Sequence, residues 1–222
     1  WLHVDGAHGA SALLAPGHRH RLDGLARAHS LAWDPHKMLL LPLSAGVVLV
    51  RDERWLEGAF AQKAPYLFHG AADDDARIAD QGIRSFQCSR RADALKLWVA
   101  FQRYGADGLG ALYAHLCDTT ARLHARLAAH PRFAPLHAPE SNILCFRWTG
   151  ADDHPDAEAR QLRLRERYNA SGAGWITTTV LDGRRVLRVT VMNPRTGDAE
   201  LAALVAGLDA TARALAVGPT AG

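Results

Sequence analysis

Over the first hundred residues, short apolar runs alternate with longer mixed stretches. Trp1–Val4, Ser30–Trp33 and Ala45–Val50 are rich in branched and aromatic side chains, and helical stretches lie between them. This alternation predicts strands joined by crossovers, the pattern of a mainly parallel α/β sheet. Such sheets present functional side chains at the carboxyl ends of their strands. Asp5 and the turn Asp34-Pro35-His36-Lys37 both fall at such ends. Residues 61–84 are polar, rich in Asp and Gly, and aperiodic. A segment of that length without structure inside a domain is usually functional or mobile. Ala92 to Tyr104 then reads as a helix that Gly105 can stop.

From Asp107 the period changes. Leu109, Leu112, Leu116, Leu123 and Leu127 fall largely on one helical face. Ile143–Trp148 reads as a strand, followed by a charged helix from about Asp156 to Tyr168. Trp175–Val180 and Val186–Met192 flank Asp182-Gly183, a hairpin turn sequence. Leu201, Leu204, Leu208 and Leu215 mark a last helix. The pattern predicts two domains: part of a larger α/β domain over 1–105 and a smaller α+β domain over 106–222.

Composition narrows the function classes. A formal charge of +3 with no basic run gives little reason to expect nucleic acid. No apolar stretch reaches membrane-spanning length; Met38–Val50 is too short and holds Pro42 and Gly46. Cys88, Cys117 and Cys145 are odd in number and widely spaced, which favours free thiols in the cytoplasm. The chain opens at Trp1 inside an apolar segment, without methionine or a signal peptide, so we expect the C-terminal part of a longer protein.

The 26 lysines and arginines contain only three lysines, Lys37, Lys63 and Lys96. Arginine stays protonated, whereas lysine can lose its proton and form a Schiff base with a carbonyl. Lysine at position 37, in a chain that otherwise prefers arginine, therefore points to covalent chemistry. Asp5 is a fixed carboxylate at a neighbouring strand end, followed by the small residues Gly6 and Ala7. A lysine and a carboxylate so placed are what pyridoxal phosphate needs: an amine for its aldehyde and an anion beside its pyridine nitrogen. Taken singly, Asp5 would more often cap the following helix and Lys37 would more often be a solvated charge. His36 either touches the cofactor or packs beside it. Arg188 sits mid-strand, opposite in direction to Leu187, Val189 and Val191. A buried guanidinium needs an anion, either a substrate carboxylate or an acidic side chain of the protein. The histidines His3, His8, His18 and His20 carry no zinc spacing, so no metal is expected.

Four ordered segments carry a resemblance: H-V-D-G-A-H-G, W-D-P-H-K-M-L-L-L-P-L, Q-C-S-R-R-A-D-A-L-K-L-W and V-L-R-V-T-V-M-N-P. Together they resemble the group II pyridoxal-phosphate amino-acid decarboxylases, from Trp1 to about Leu208. The resemblance implies fold type I of the pyridoxal enzymes and decarboxylation of an L-amino acid to its amine. It implies Lys37 as the cofactor-bonding lysine, Asp5 at the pyridine nitrogen, Ala7 against the ring and His36 near it. Asp34 stands where relatives frequently have Asn, on the phosphate side. Tyr66 falls where relatives carry a loop tyrosine that protonates the substrate carbon, and Arg188 where they bind the substrate carboxylate. The resemblance also implies a homodimer with shared active sites. Q-C-S-R-R and V-M-N-P lean toward the glutamate and diaminobutyrate side of the family. Two rival readings stand beside this one: another fold type I enzyme such as an aminotransferase, or an inactive fragment acting only in dimerisation.

Overall fold

In the computed structural model, which describes residues 1–60 and 81–217, the first apolar runs pair as one sheet. Its strands are β1 (His3–Asp5), β2 (Ser30–Trp33) and β3 (Val47–Val50), in that spatial order. β1 and β2 are parallel, with Asp5 opposite Ala32. β3 is antiparallel to β2, with Trp33 opposite Val47. The sheet is therefore mixed, and the connections explain why. The β1–β2 crossover is long enough to return the chain for parallel pairing. The 34–46 link carries no helix to do so, and the chain reverses.

The crossover is built of 3-10 segments, Ala10–Leu14, Pro16–Leu22 and Leu25–Arg27, rather than an α-helix. Pro16 opens the second segment and Gly24, at φ 88°, turns left-handed before the third, so no long helix can run through. Helix α1 (Arg54–Ala59) follows β3. Helix α2 (Ala94–Ala128) is broken at Gly105, whose φ of 65° and ψ of 177° leave the helical region, but it resumes at once.

The chain divides into two units, Trp1–Tyr113 and Ala114–Gly222, and the break at Gly105 falls inside the first. In that unit Leu39, Ala100 and Leu109 form a small core with Leu14, Trp33, Leu41, Leu97 and Phe101 around it. A side chain on Gly110 would collide with the backbone carbonyl of Leu14, so glycine lets the helix lie directly on the crossover.

The second unit holds β4 (Phe133–Pro135), β5 (Ile143–Trp148), helix α3 (Ala157–Ala170), β6 (Thr177–Leu181), β7 (Arg184–Thr190) and helix α4 (Asp198–Val217). The strands form an antiparallel sheet in the order β4-β5-β7-β6. Asp182 and Gly183 both have positive φ, 49° and 74°, as a two-residue hairpin turn of the I′ type requires. Along β5, Leu144, Phe146 and Trp148 face a core that includes Leu123, Leu127, Leu164, Leu187 and Leu208. Cys145 and Arg147 point to the other face. Arg147 is buried but paired: its Nε donates to Asp152 Oδ1 at 2.7 Å and its Nη1 to Glu158 Oε1 at 3.1 Å. Pairing of this kind is what makes a buried charge tolerable. Gln161 of α3 brackets the last β5 residue, accepting from Trp148 N–H at 3.2 Å and donating to its carbonyl at 2.9 Å.

Candidate active site

The parallel register ends β1 and β2 at the same edge, which brings Asp5 beside the turn that follows Trp33. The backbone N–H of Asp34 donates to the Ala7 carbonyl at 3.1 Å and ties the two strand-end loops together. Gly6 is buried between them. A Cβ there would lie 2.6 Å from Leu31 Cδ1 and 2.8 Å from Ala10 Cβ, so only glycine allows this approach. Asp5 itself is exposed, and its Oδ1 accepts the Ala7 N–H at 3.0 Å. The next helical segment has Gly9 as its N-cap with no side-chain bond, so Asp5 does not cap it.

Lys37 Nζ lies 2.9 Å from Asp34 Oδ2, with 39% of its side chain exposed. His36 Nε2 stands 3.9 Å from the same oxygen. The other His36 ring nitrogen, Nδ1, is 2.8 Å from the Ala45 carbonyl and 3.1 Å from the Ala45 nitrogen; the tautomer decides which of the two bonds forms. The residues after Lys37 anchor the turn: Met38 and Leu39 are buried. Leu40 adopts φ 57°, a left-handed conformation rare for a branched side chain, and that strain sits three residues from the amine. Lysine, histidine and two aspartates are thus collected at one sheet edge.

Sequence reading missed a second group beside this turn. Lys96, at the start of α2, donates its Nζ to the carbonyls of Pro42, Leu43 and Ser44 at 3.3, 3.3 and 2.9 Å. It pairs with Asp93 Oδ1 at 2.8 Å, and Ser44 Oγ reaches Asp93 Oδ2 at 3.4 Å. The scarcity of lysine that singled out Lys37 applied equally to Lys96.

Arg188 belongs to the second unit. It is half-buried on β7, opposite Cys145 in register, and no carboxylate among the described residues pairs with it. Burial pushes the Cys145 thiol up, against the pull of the Arg188 charge. Tyr66 lies outside the described residues. Among the described residues no cluster of His, Cys, Asp or Glu could hold a metal, and no helix is long and apolar enough to cross a membrane.

The fold and site define an α/β unit that gathers an amine and two carboxylates at adjacent strand ends, where such sheets place their ligands. The family model described as the pyridoxal-dependent decarboxylase conserved domain matches residues 1–149, and the chain belongs to that family. It is 38% identical over 221 residues to the L-2,4-diaminobutyrate decarboxylase of Rhizobium meliloti (strain 1021), covering 97% of this chain and 43% of that relative. It is 33% identical over 220 residues to the cysteine sulfinic acid decarboxylase of Mus musculus, covering 94% of this chain and 44% of that protein. The crystal structure of Oryza sativa TDC with PLP and tryptamine superposes with a TM-score of 0.88 at 27% identity, over 97% of this chain and 45% of that one. The chain therefore spans less than half the length of these relatives. The residues present fit the family's cofactor: an amine for its aldehyde, an accessible carboxylate for its ring nitrogen, and small residues beside that carboxylate.

Proposed function

We propose that the protein decarboxylates an L-amino acid to the corresponding amine and carbon dioxide, with pyridoxal 5′-phosphate at Lys37. The observation that carries this reading is that β1 and β2 run parallel, so Asp5 and the turn holding Lys37 leave adjacent strands at the same end. When bound, the cofactor supplies the electron sink for the pair left at the α-carbon as carbon dioxide departs. Lys37 provides the amine that attaches it, and Asp34 holds that amine in place. Asp5 keeps a proton on the pyridine nitrogen, and so keeps the ring electron-poor. Ala7 is small enough to leave room for a flat ring, and His36 borders the same space. Arg188, without an acidic partner of its own among the described residues, receives the substrate carboxylate. Tyr66 delivers the proton to the substrate carbon.

The assembly we propose is a homodimer with shared active sites, in which Tyr66 serves the partner's site. Cys88 is exposed and Cys145 is buried, and both are reduced thiols, which suits the cytoplasm. Similarity to diaminobutyrate and cysteine sulfinic acid decarboxylases favours a substrate with a polar side chain over an aromatic one.

The test uses the full-length protein. Borohydride reduction in the presence of pyridoxal phosphate should fix the cofactor on the peptide that holds Lys37. Label on Lys63 or Lys96 instead would overturn the assignment. Product analysis should give amine and carbon dioxide; a keto acid would make the protein an aminotransferase.

A further inference from the structure

We infer that Lys96 is a positioning residue for the Lys37 site, acting through the loop 42–46. The inference rests on the reading above that Lys37 holds the cofactor, and it assigns work to a lysine outside that reading.

An ammonium group has three protons to donate and no acceptor. Lys96 turns them to Asp93 Oδ1 at 2.8 Å, to the Ser44 carbonyl at 2.9 Å, and to the Pro42 and Leu43 carbonyls, both at 3.3 Å, which share the third. A solvated surface lysine has no reason to adopt such a geometry, because it costs rotamer entropy and water would serve each group as well. The three carbonyls are not satisfied by a strand ladder, since β3 begins only at Val47. Lys96 and Asp93 therefore grip Ser44 at both its carbonyl and its hydroxyl.

The next two residues transmit that grip. Ala45 presents its N–H and carbonyl to His36 Nδ1. Gly46 lies so close to Asp34 that a Cβ there would stand 3.2 Å from Oδ1. Asp34 in turn holds the Lys37 amine at 2.9 Å. The chain of contact runs from Lys96 through Ser44, Ala45 and Gly46 to His36, Asp34 and Lys37. Lys96 fixes the outgoing limb of the turn, while buried Met38 and Leu39 fix its middle.

The experiment compares Lys96→Met, Lys96→Arg and wild type in the full-length protein. Without cofactor, Lys96→Met should speed hydrogen exchange of the 36–46 amides and leave those of β5 and β7 unchanged. With cofactor, it should weaken pyridoxal phosphate binding about tenfold, the scale of one charge-assisted hydrogen bond. It should also alter the visible circular dichroism of the bound ring, which reports how that ring is held. Lys96→Arg keeps donors for the carbonyls and should restore the exchange pattern, the affinity and the spectrum. If Lys96→Met gives too little folded protein, Asp93→Asn is the substitute and should show the same changes in weaker form. Wild-type exchange in the 36–46 amides, or no rescue by arginine, would overturn the inference. Loose exchange together with an absence of cofactor at Lys37 in wild type would instead leave the clamp standing and sink the proposed function.

Discussion

In the antiparallel sheet of the second unit, Leu144, Phe146 and Leu187 are wholly inaccessible, whereas Val48 and Leu49 of β3 in the first unit are 59% and 49% exposed. The two regions also treat cations differently. Arg147 on β5 is buried against two carboxylates, those of Asp152 and of Glu158 on α3. Lys37 is partly open and meets one carboxylate on a turn. Arginine keeps its charge, so the first arrangement can only be structural; lysine can give up its proton, so the second can be chemical. The chain thus separates stability from reactivity. Apolar burial, the main source of folding free energy, is concentrated in the second unit. The titratable groups stand at strand ends in the first, held by a few directional contacts. Arg188 departs from the Arg147 pattern: it is a half-buried cation of the second sheet without a carboxylate partner among the described residues.

The sharpest way to break this separation is to remove a charge from the first unit without touching its packing. Asp5→Asn keeps an oxygen to accept the Ala7 N–H, so the turn should survive. What it loses is the anion. If the proposed decarboxylation is assayed in the full-length protein, we expect a drop of about 10²–10³-fold, the scale of losing one well-placed electrostatic group. Thermal unfolding and cofactor attachment should stay near wild type. Near-normal turnover in a folded variant would make Asp5 a turn residue only.

The reverse experiment cuts packing. Leu144→Ala opens a cavity in the core of the second unit and should cost about 2–5 kcal/mol in urea unfolding. Leu49→Ala, on the half-exposed strand, should cost under about 1 kcal/mol. Equal costs would mean that the two sheets share the burden of stability.

Legibility in the sequence followed the same division. β5 was readable to the residue, because Leu144, Phe146 and Trp148 alternate along Ile143–Trp148 as large apolar side chains on one face. The Asp-Gly hairpin was readable because its turn demands left-handed residues. β4 was not, being three residues ending in Pro135. The placement of Asp5 beside the Lys37 turn was legible, since parallel strands must present their carboxyl ends together. The reversed direction of β3 was hidden, because strand residues carry no mark of direction. The Lys96 grip was also hidden. It joins residues more than fifty positions apart, and its acceptors are backbone carbonyls, which leave no trace in residue type.

The smallest expected effect concerns acid stability, and it too separates the two kinds of region. Asp209 on α4 is nearly buried, with Arg132 and Arg213 donating to its carboxylate and His130 3.8 Å away. Burial alone pushes its carboxyl up, but the two guanidinium groups together outweigh that and hold it below the usual carboxylate value of 3.8. A carboxyl lowered by folding stabilises the native state above its unfolded value, and the gain disappears as pH falls through the lowered one. Stability should therefore decline from about pH 4 downward, with Asp209 contributing ~1 kcal/mol of that loss. Asp209→Asn should lower stability at neutral pH and flatten this acid limb. Asp198, also lowered, by hydrogen bonding from Arg126 and the charge of Arg122, is mostly exposed at 59% of its side chain. Its replacement by Asn should change the limb less. If the two variants shift the acid limb equally, burial adds nothing to the Asp209 network, and the second unit's charges are no more structural than those on its surface.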